Sequence, residues 1–298
     1  MKSLVAGLGI GKLYVDVLTQ LGADVVTVDK DATKNPTFTN FAEACASDEY
    51  DTVHICTPNF THEELFYQYV QGKHKPNSIV FVEKPGFIEP QRWQKASEAD
   101  VRLMMVKNNQ YRSNIQEMCD DAKTAGFIRL SWINYNRVPN PGTWFTTKEL
   151  AWGGVSRDLM PHLLSYLPMF YPRSFRDFGI YRKLVQQRSQ LSDLTSSDYG
   201  TVKADGIYNV DDYCAIEMAL AETRLLLIAD WRSMREDNVG IEMFTEAGAV
   251  YPLGLCPEEA YSTMIQTALR NQNVDEFWND QRIQDIWIHK VLEELNAA

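Results

Sequence analysis

The sequence predicts an α/β fold in two domains, a doubly wound parallel sheet in residues 1–110 and an α/β domain with an open mixed, mostly antiparallel sheet in residues 111–298. Three observations predict it. The first hundred residues alternate short β-rich runs with helically spaced segments. A glycine-rich turn follows the first of those runs and opens a helix. Past residue 123 the alternation gives way to strand runs in tandem, joined by turns.

In the first domain Ser3–Ala6, Asp24–Val28, Thr52–Cys56, Ser78–Val82 and Val101–Val106 read as strands. Lys12–Leu21, Thr61–Gln71 and Pro90–Ala99 carry helical spacing between them. Thr61-His62-Glu63-Glu64 fits a capping box at a helix start. Short connections make this a compact version of the fold. A further helix is expected at Ser113–Lys123.

In the second domain Phe127–Asn136, Asp177–Leu184, Asp211–Leu220, Arg224–Trp231, Gly240–Thr245 and Ala249–Pro252 read as strands, several with in/out alternation. The turn Ala221-Glu222-Thr223 joins two of them as a hairpin. Helices at Ser156–Phe170, Glu258–Arg270 and Ile283–Asn296 are expected to cover one face of the sheet. The polar, irregular stretch Gln187–Ala204 reads as a surface loop.

Composition bounds the function classes. The chain is 45% hydrophobic and 23% charged, without low-complexity tracts, as globular proteins are. A net charge of −11 argues against nucleic-acid and anionic-membrane partners, which need a basic face. The five cysteines are odd in number and widely spaced, with no Cys/His metal pattern, so buried reduced thiols and no metal are expected. No signal-peptide pattern precedes the first strand and no apolar run approaches the ~20 residues that span a bilayer, which makes a cytoplasmic location the expectation.

Gly7-Leu8-Gly9-Ile10-Gly11-Lys12 follows the first strand and opens the first helix. Glycines there permit a tight turn and let a pyrophosphate approach backbone N–H groups at a helix N-terminus. Lys12 holds the position of the fingerprint's third glycine, and Gly11 sits one residue early, as though the turn had lost a residue. Asp29 ends the second strand about twenty residues past Gly9, where a carboxylate accepts hydrogen bonds from an adenosine ribose and repels a 2′-phosphate. NAD is therefore expected over NADP, with Lys30 as the residue that would pair with a phosphate and keep NADP possible.

Three further segments narrow the reading. Cys56-Thr57-Pro58-Asn59-Phe60-Thr61-His62 ends the third strand, and Glu83-Lys84-Pro85 ends the fourth. Trp144, Gly153-Gly154 and Asp158-Leu159-Met160-Pro161-His162 open the second domain's first helix, and Asp211-Asp212 starts a strand. Together these resemble the glucose–fructose oxidoreductase / inositol dehydrogenase / MocA (Gfo/Idh/MocA) family over nearly the whole chain. The early Gly11 and the Pro161 inside the DxxxH motif depart from the pattern. The resemblance implies a Rossmann domain followed by an α/β domain whose open sheet serves as a homo-oligomer surface, with a small-molecule substrate. Thr57, Pro58, Asn59, Glu83, Lys84 and Pro85 fall at the carboxyl ends of parallel strands, where such folds bind ligands.

Oxidation of a secondary alcohol needs a base for the hydroxyl proton and a donor for the oxygen. Asp158 and His162 are four residues apart, on one face of a helix. Pro161 is comfortable only in a first turn, so the regular helix should start near Arg157 or Asp158. His162 is the expected general acid/base, because an imidazole titrates near neutrality. Lys84 would hydrogen-bond the reacting oxygen, and Asp158 would orient a substrate hydroxyl or His162. His62 matches a family position near the cofactor pocket, with helix capping as the alternative, whereas His54 and His74 read as structural. Tyr111, Asn136, Arg137 and Trp144 are candidate substrate contacts. The leading expectation is an NAD-dependent dehydrogenase or reductase of a sugar, polyol or sugar derivative. The alternatives are a biliverdin-reductase-like reductase and a non-catalytic nucleotide-binding regulator.

Overall fold

The computed structural model describes residues 1–197, 199–220, 222–245 and 248–296. Along the chain the elements are β1 (Lys2–Ala6), α1 (Gly11–Gln20), β2 (Asp24–Val28), α2 (Phe41–Ser47), β3 (Thr52–Ile55), α3 (His62–Gln71), β4 (Ile79–Val82), α4 (Pro90–Ala96) and β5 (Arg102–Met105). Then come α5 (Ile115–Ala122), β6 (Phe127–Tyr135), α6 (Lys148–Ala151), α7 (Val155–Asp158), α8 (Met160–Leu164), α9 (Leu167–Phe170) and β7 (Gly179–Gln186). The last elements are β8 (Tyr213–Leu220), β9 (Thr223–Ser233), β10 (Asn238–Phe244), β11 (Ala249–Pro252), α10 (Glu258–Arg270) and α11 (Asp275–Asn296).

The chain forms two compact units. The first takes residues 1–111 and 257–290, the second residues 112–256 and 291–298. The boundary after Tyr111 lies one residue past the expected one, but the chain returns. Glu258–Arg270, expected over the second sheet, belongs with the first unit instead, as does α11 through Lys290. The reason is visible in its apolar face: Ala260, Tyr261, Met264, Ile265 and Ala268 are buried, and the Tyr261 ring meets the Tyr14 ring of α1 edge-on at 5.4 Å.

The first unit is a five-stranded parallel sheet in the order β2-β1-β3-β4-β5. β3 and β4 are buried along their full length, as sheets covered on both faces require; β4 is the unbroken apolar run Ile-Val-Phe-Val, whereas β3 buries Thr52 and His54 among its apolar residues. The strand order reverses between β1 and β3, and such switch points leave a crevice beyond the carboxyl ends.

The second unit is a six-stranded mixed sheet in the order β11-β10-β6-β9-β8-β7. Among the described residues its only parallel neighbours are β6 and β9; the other pairs are antiparallel. Strand β8 alternates buried and half-buried residues, the signature of one covered face. Leu220 pairs with Thr223 across the expected hairpin, whose Ala221 lies outside the described residues. The segment expected as one helix over Ser156–Phe170 is three short ones, α7, α8 and α9. Pro161 and Pro168 explain this, since each removes a backbone donor and restarts a first turn.

Thr61 stands at the N-cap of α3 without a side-chain capping bond. Its hydroxyl donates to the Pro58 carbonyl at 2.7 Å, so the expected capping box does not form. Among the described residues no helix is long and apolar enough to cross a membrane, and no cluster of three or more His, Cys, Asp or Glu could hold a metal ion.

Candidate cofactor and substrate sites

The glycine turn lies at the end of β1. Gly7 has φ +92°, and a Cβ there would come within 2.6 Å of the Cys56 carbonyl oxygen, so only glycine lets β1 and β3 leave the sheet this close together. A Cβ at Gly9 would meet nothing within 4 Å, so the turn is open on that side. At Gly11 it would sit 3.0 Å from Val5 Cγ1, so Gly11 serves the close helix-on-strand packing of the fingerprint's third glycine, one residue early. Ile10, at the N-cap of α1, is exposed.

Asp29 ends β2 and is tied back to the turn. The Leu8 N–H donates to its Oδ2 at 2.7 Å, the Asp31 N–H to Oδ1 at 2.9 Å, and Lys34 to Oδ2 at 2.9 Å. Partial burial works against the charge, but the donors from Lys34, Asp31 and Leu8 outweigh it and hold the carboxyl below its ordinary pKa. A carboxylate has about four acceptor positions, so one on Oδ1 is left for a ribose hydroxyl. Lys34, which the sequence reading passed over, is the cation beside Asp29; Lys30 is exposed. Its only sequence signal was its place five residues on in a polar turn.

At the ends of β3 and β4 the chain brings Thr57, Pro58 and Asn59 together with Glu83, Lys84 and Pro85. The buried Glu83 carboxylate accepts from the Tyr14 hydroxyl at 2.6 Å, and burial pushes the Tyr14 phenol well up. Tyr14 is thus a second residue the sequence reading missed. Lys84 is half-buried, and the turn after it is closed by the Gly86 N–H donating to the Glu83 carbonyl at 3.0 Å. His62 is completely buried with both ring nitrogens facing backbone carbonyls, Gly86 at 2.9 Å and Thr57 at 2.8 Å. Tyr111 ends a 3₁₀ turn of the first unit, where burial pushes its phenol up. The residues that could hold a dinucleotide therefore gather in one place: an open glycine turn, an acid fastened to it, and two strand ends.

The second unit contains a cavity of about 380 Å³. Trp132 and Asn134 reach it from β6, Trp231 from β9, and Asp158, Arg137, Tyr199 and Asp237 complete its polar and aromatic lining. The Trp231 indole N–H donates to Asp158 Oδ2 at 3.0 Å, so Asp158 is oriented by a ring that is itself fixed in the sheet. His162 lies with its ring centroid 5.1 Å from that of Trp132. Arg137 pairs with Asp237 and stands 5.5 Å over the Tyr199 ring. Gly153-Gly154 matter here for packing. A Cβ at Gly154 would fall 1.8 Å from the Asp211 carbonyl, and the Asp211 carboxylate accepts from Gly154 N–H and Ser156 N–H at 2.9 and 2.7 Å, which caps α7.

Of the expected substrate contacts, the cavity brings together Arg137 and Asp158. Asn136 does not line it: the residue has φ +49°, in the turn past β6, and Asn134 holds the inward position two residues earlier. Trp144 stacks on Phe145 at 4.0 Å, also away from the lining. Trp132, Asn134, Tyr199, Trp231 and Asp237 were not singled out in the sequence. The alternation along β6 was the one signal, since Ile128, Leu130, Trp132 and Asn134 all face inward.

Comparison with known proteins bears on the fold that carries these residues. A family model described as "Oxidoreductase family, NAD-binding Rossmann fold" (GFO_IDH_MocA) matches residues 15–106. A putative UDP-kanosamine synthase oxidoreductase subunit from Amycolatopsis mediterranei (strain S699) is 30% identical over 187 residues. That match covers 56% of this chain, which spans about half (51%) of the relative's length. The fold resembles that of GenD2 from gentamicin A biosynthesis in complex with NAD (TM-score 0.75, 18% identity, 98% of this chain and 92% of the other). It also resembles levoglucosan dehydrogenase in complex with NADH and levoglucosan (0.71, 12%, 99% and 96%). A third similar structure is the WlbA dehydrogenase from Thermus thermophilus with NAD and UDP-GlcNAcA (0.70, 12%, 100% and 96%).

Proposed function

Since the chain belongs to the Gfo/Idh/MocA family of oxidoreductases and carries its NAD-binding Rossmann fold, we propose that it is an NAD-dependent dehydrogenase or reductase of a sugar or sugar derivative, interconverting a secondary alcohol and a ketone. The observation that carries this reading is the second unit's cavity, in which aromatic rings surround a carboxylate held in place by Trp231. Aromatic faces suit the C–H faces of a sugar ring, and oriented polar groups suit its hydroxyls. The relatives named for UDP-kanosamine, levoglucosan and UDP-GlcNAcA support a sugar as the substrate.

Asp29 would hold the adenosine ribose and the glycine turn, Ile10 included, the pyrophosphate, with Thr57, Pro58, Asn59, Glu83 and Lys84 toward the nicotinamide end. His62, expected near the cofactor, is fully buried on the Thr57 and Gly86 carbonyls and has no surface to offer it. When bound, NAD supplies the hydride acceptor. His162 takes the hydroxyl proton during oxidation and returns it during reduction. Lys84 donates a charge-assisted hydrogen bond to the reacting oxygen as its negative charge develops. Asp158, set by the Trp231 N–H, fixes a substrate hydroxyl. NAD is favoured over NADP because a 2′-phosphate would meet the Asp29 charge, which Lys34 offsets only in part. Exposed Phe244, Val250, Tyr181 and Leu184 on the sheet's outer strands suit a homo-oligomer built through that sheet.

Absorbance at 340 nm tests the reading, with NAD and NADP offered against sugars, nucleotide sugars and inositols. Turnover with NAD on at least one sugar is expected, and His162→Ala should lower it by about 10²–10⁴. NAD binding without turnover on any of them would instead make the chain a nucleotide-binding regulator.

A further inference from the structure

The turn that carries Lys84 is held between two histidines used in different ways. On one side the Phe87 N–H donates to His289 Nε2 at 3.0 Å, while His289 Nδ1 stands 2.6 Å from the Asp285 carbonyl. One nitrogen accepts and the other donates, as in a neutral imidazole. On the other side both nitrogens of His62 face acceptors, the carbonyls of Gly86 and Thr57. Neutral imidazole can donate to one of these, imidazolium to both. Burial, helped by the charge of Lys84, holds the His62 pKa below its ordinary value despite the two carbonyls. The ring's two carbonyl contacts span residues 57 to 86, a bridge between strand ends rather than a helix cap.

Gly86 has little freedom on the His289 side. Its φ is +78°, and a Cβ there would come 2.5 Å from His289 Nε2. The position of the turn is therefore fixed by α11 on one side and by the His62 ring on the other. We propose that His62 is a positioning residue, bridging the end of β3 at Thr57 to the turn after β4 at Gly86 and so setting where the Lys84 ammonium stands. This rests on the reading of Lys84 as donor to the reacting oxygen.

A double-mutant cycle on the full chain tests it, with wild type, His62→Phe, Lys84→Ala and the double variant compared at saturating NAD and sugar. His62→Phe keeps a ring in place and removes both hydrogen bonds. Turnover should fall roughly 10- to 100-fold, the scale of a small misplacement of a reacting group. In the Lys84→Ala background the same change should cost almost nothing, because no ammonium is left to misplace. Equal losses in both backgrounds would overturn the proposal. No loss from Lys84→Ala itself would instead show that the Lys84 reading fails, and the bridge would then have no reacting group to position. A readout independent of turnover is the acylation rate of Lys84 followed by peptide mass spectrometry. It should change several-fold in His62→Phe while that of exposed Lys12 stays constant, and an unchanged Lys84 rate would also overturn the proposal. Should His62→Phe not fold, His62→Ala with added imidazole replaces it. Restored turnover supports the bridge, and its absence at a retained melting temperature overturns it.

Discussion

The two units build their sites from different material. In the first, the candidate groups are backbone turns and the residues at strand ends, gathered from residues 7 to 86 and held by backbone donors, as with Leu8 N–H to the Asp29 carboxylate and Gly86 N–H to the Glu83 carbonyl. In the second, the cavity is made of side chains drawn from residues 132 to 255, and their orientation depends on packing, as with the Trp231 indole that holds Asp158. A site made from strand ends leaves a spacing signature, whereas one made from side chains across a sheet leaves only its residue types. The first should also be sensitive to changes in backbone and charge, the second to changes in side-chain shape and donors.

Substitutions can break or sharpen that contrast. The largest effect is expected from Lys84→Ala, which should reduce turnover by about 10²–10³ while NAD affinity, measured by calorimetry, changes little. Trp231→Phe keeps the aromatic wall and removes the N–H held by Asp158. A lost hydrogen bond to a charged group, about 1.5–3 kcal/mol, predicts a roughly 10- to 100-fold fall in kcat/KM for the sugar. In the first unit, Asp29→Ala removes the acceptor for Leu8 and the one proposed for the ribose. NAD binding should weaken roughly tenfold and the gap to NADP should narrow.

The smallest effect concerns stability. His54 is fully buried, stacked on Phe81 at 4.7 Å, and burial lowers its pKa to about 3. The unfolded ring titrates near 6.5, so the neutral form's contribution is fully present above that pH. It is lost as pH falls from there toward about 3, by about 1.4 kcal/mol per unit. Urea unfolding at pH 7 and 5.5 should show at least this slope in wild type, since the buried His62 adds to it in the same direction, and His54→Phe should make the slope shallower.

Much of the fold could be read from the sequence, because the parallel strands are short apolar runs and the glycine turn has a fixed place after the first. The helix α2 was not foreseen: only Phe41, Ala44 and Cys45 of its seven residues are buried, too short a stripe for periodicity to reveal. The break in the segment before β7 was underestimated, since Pro161 was placed in a first turn but Pro168 restarts the helix again. In the site, Asp29 and the Glu83-Lys84-Pro85 segment could be located by position along the chain. Trp231 and Asp237 could not, because what makes them neighbours of Asp158 and Arg137 is the β10–β6–β9 pairing, which spacing in the sequence does not encode.

The most direct test of this division of labour is a crossed measurement of KM for NAD and KM for the sugar in Asp29→Ala and Trp231→Phe. Asp29→Ala should raise the KM for NAD and leave that for the sugar nearly unchanged, while Trp231→Phe should affect the sugar and spare NAD. A change in both constants from either substitution, or the reverse pattern, would contradict it.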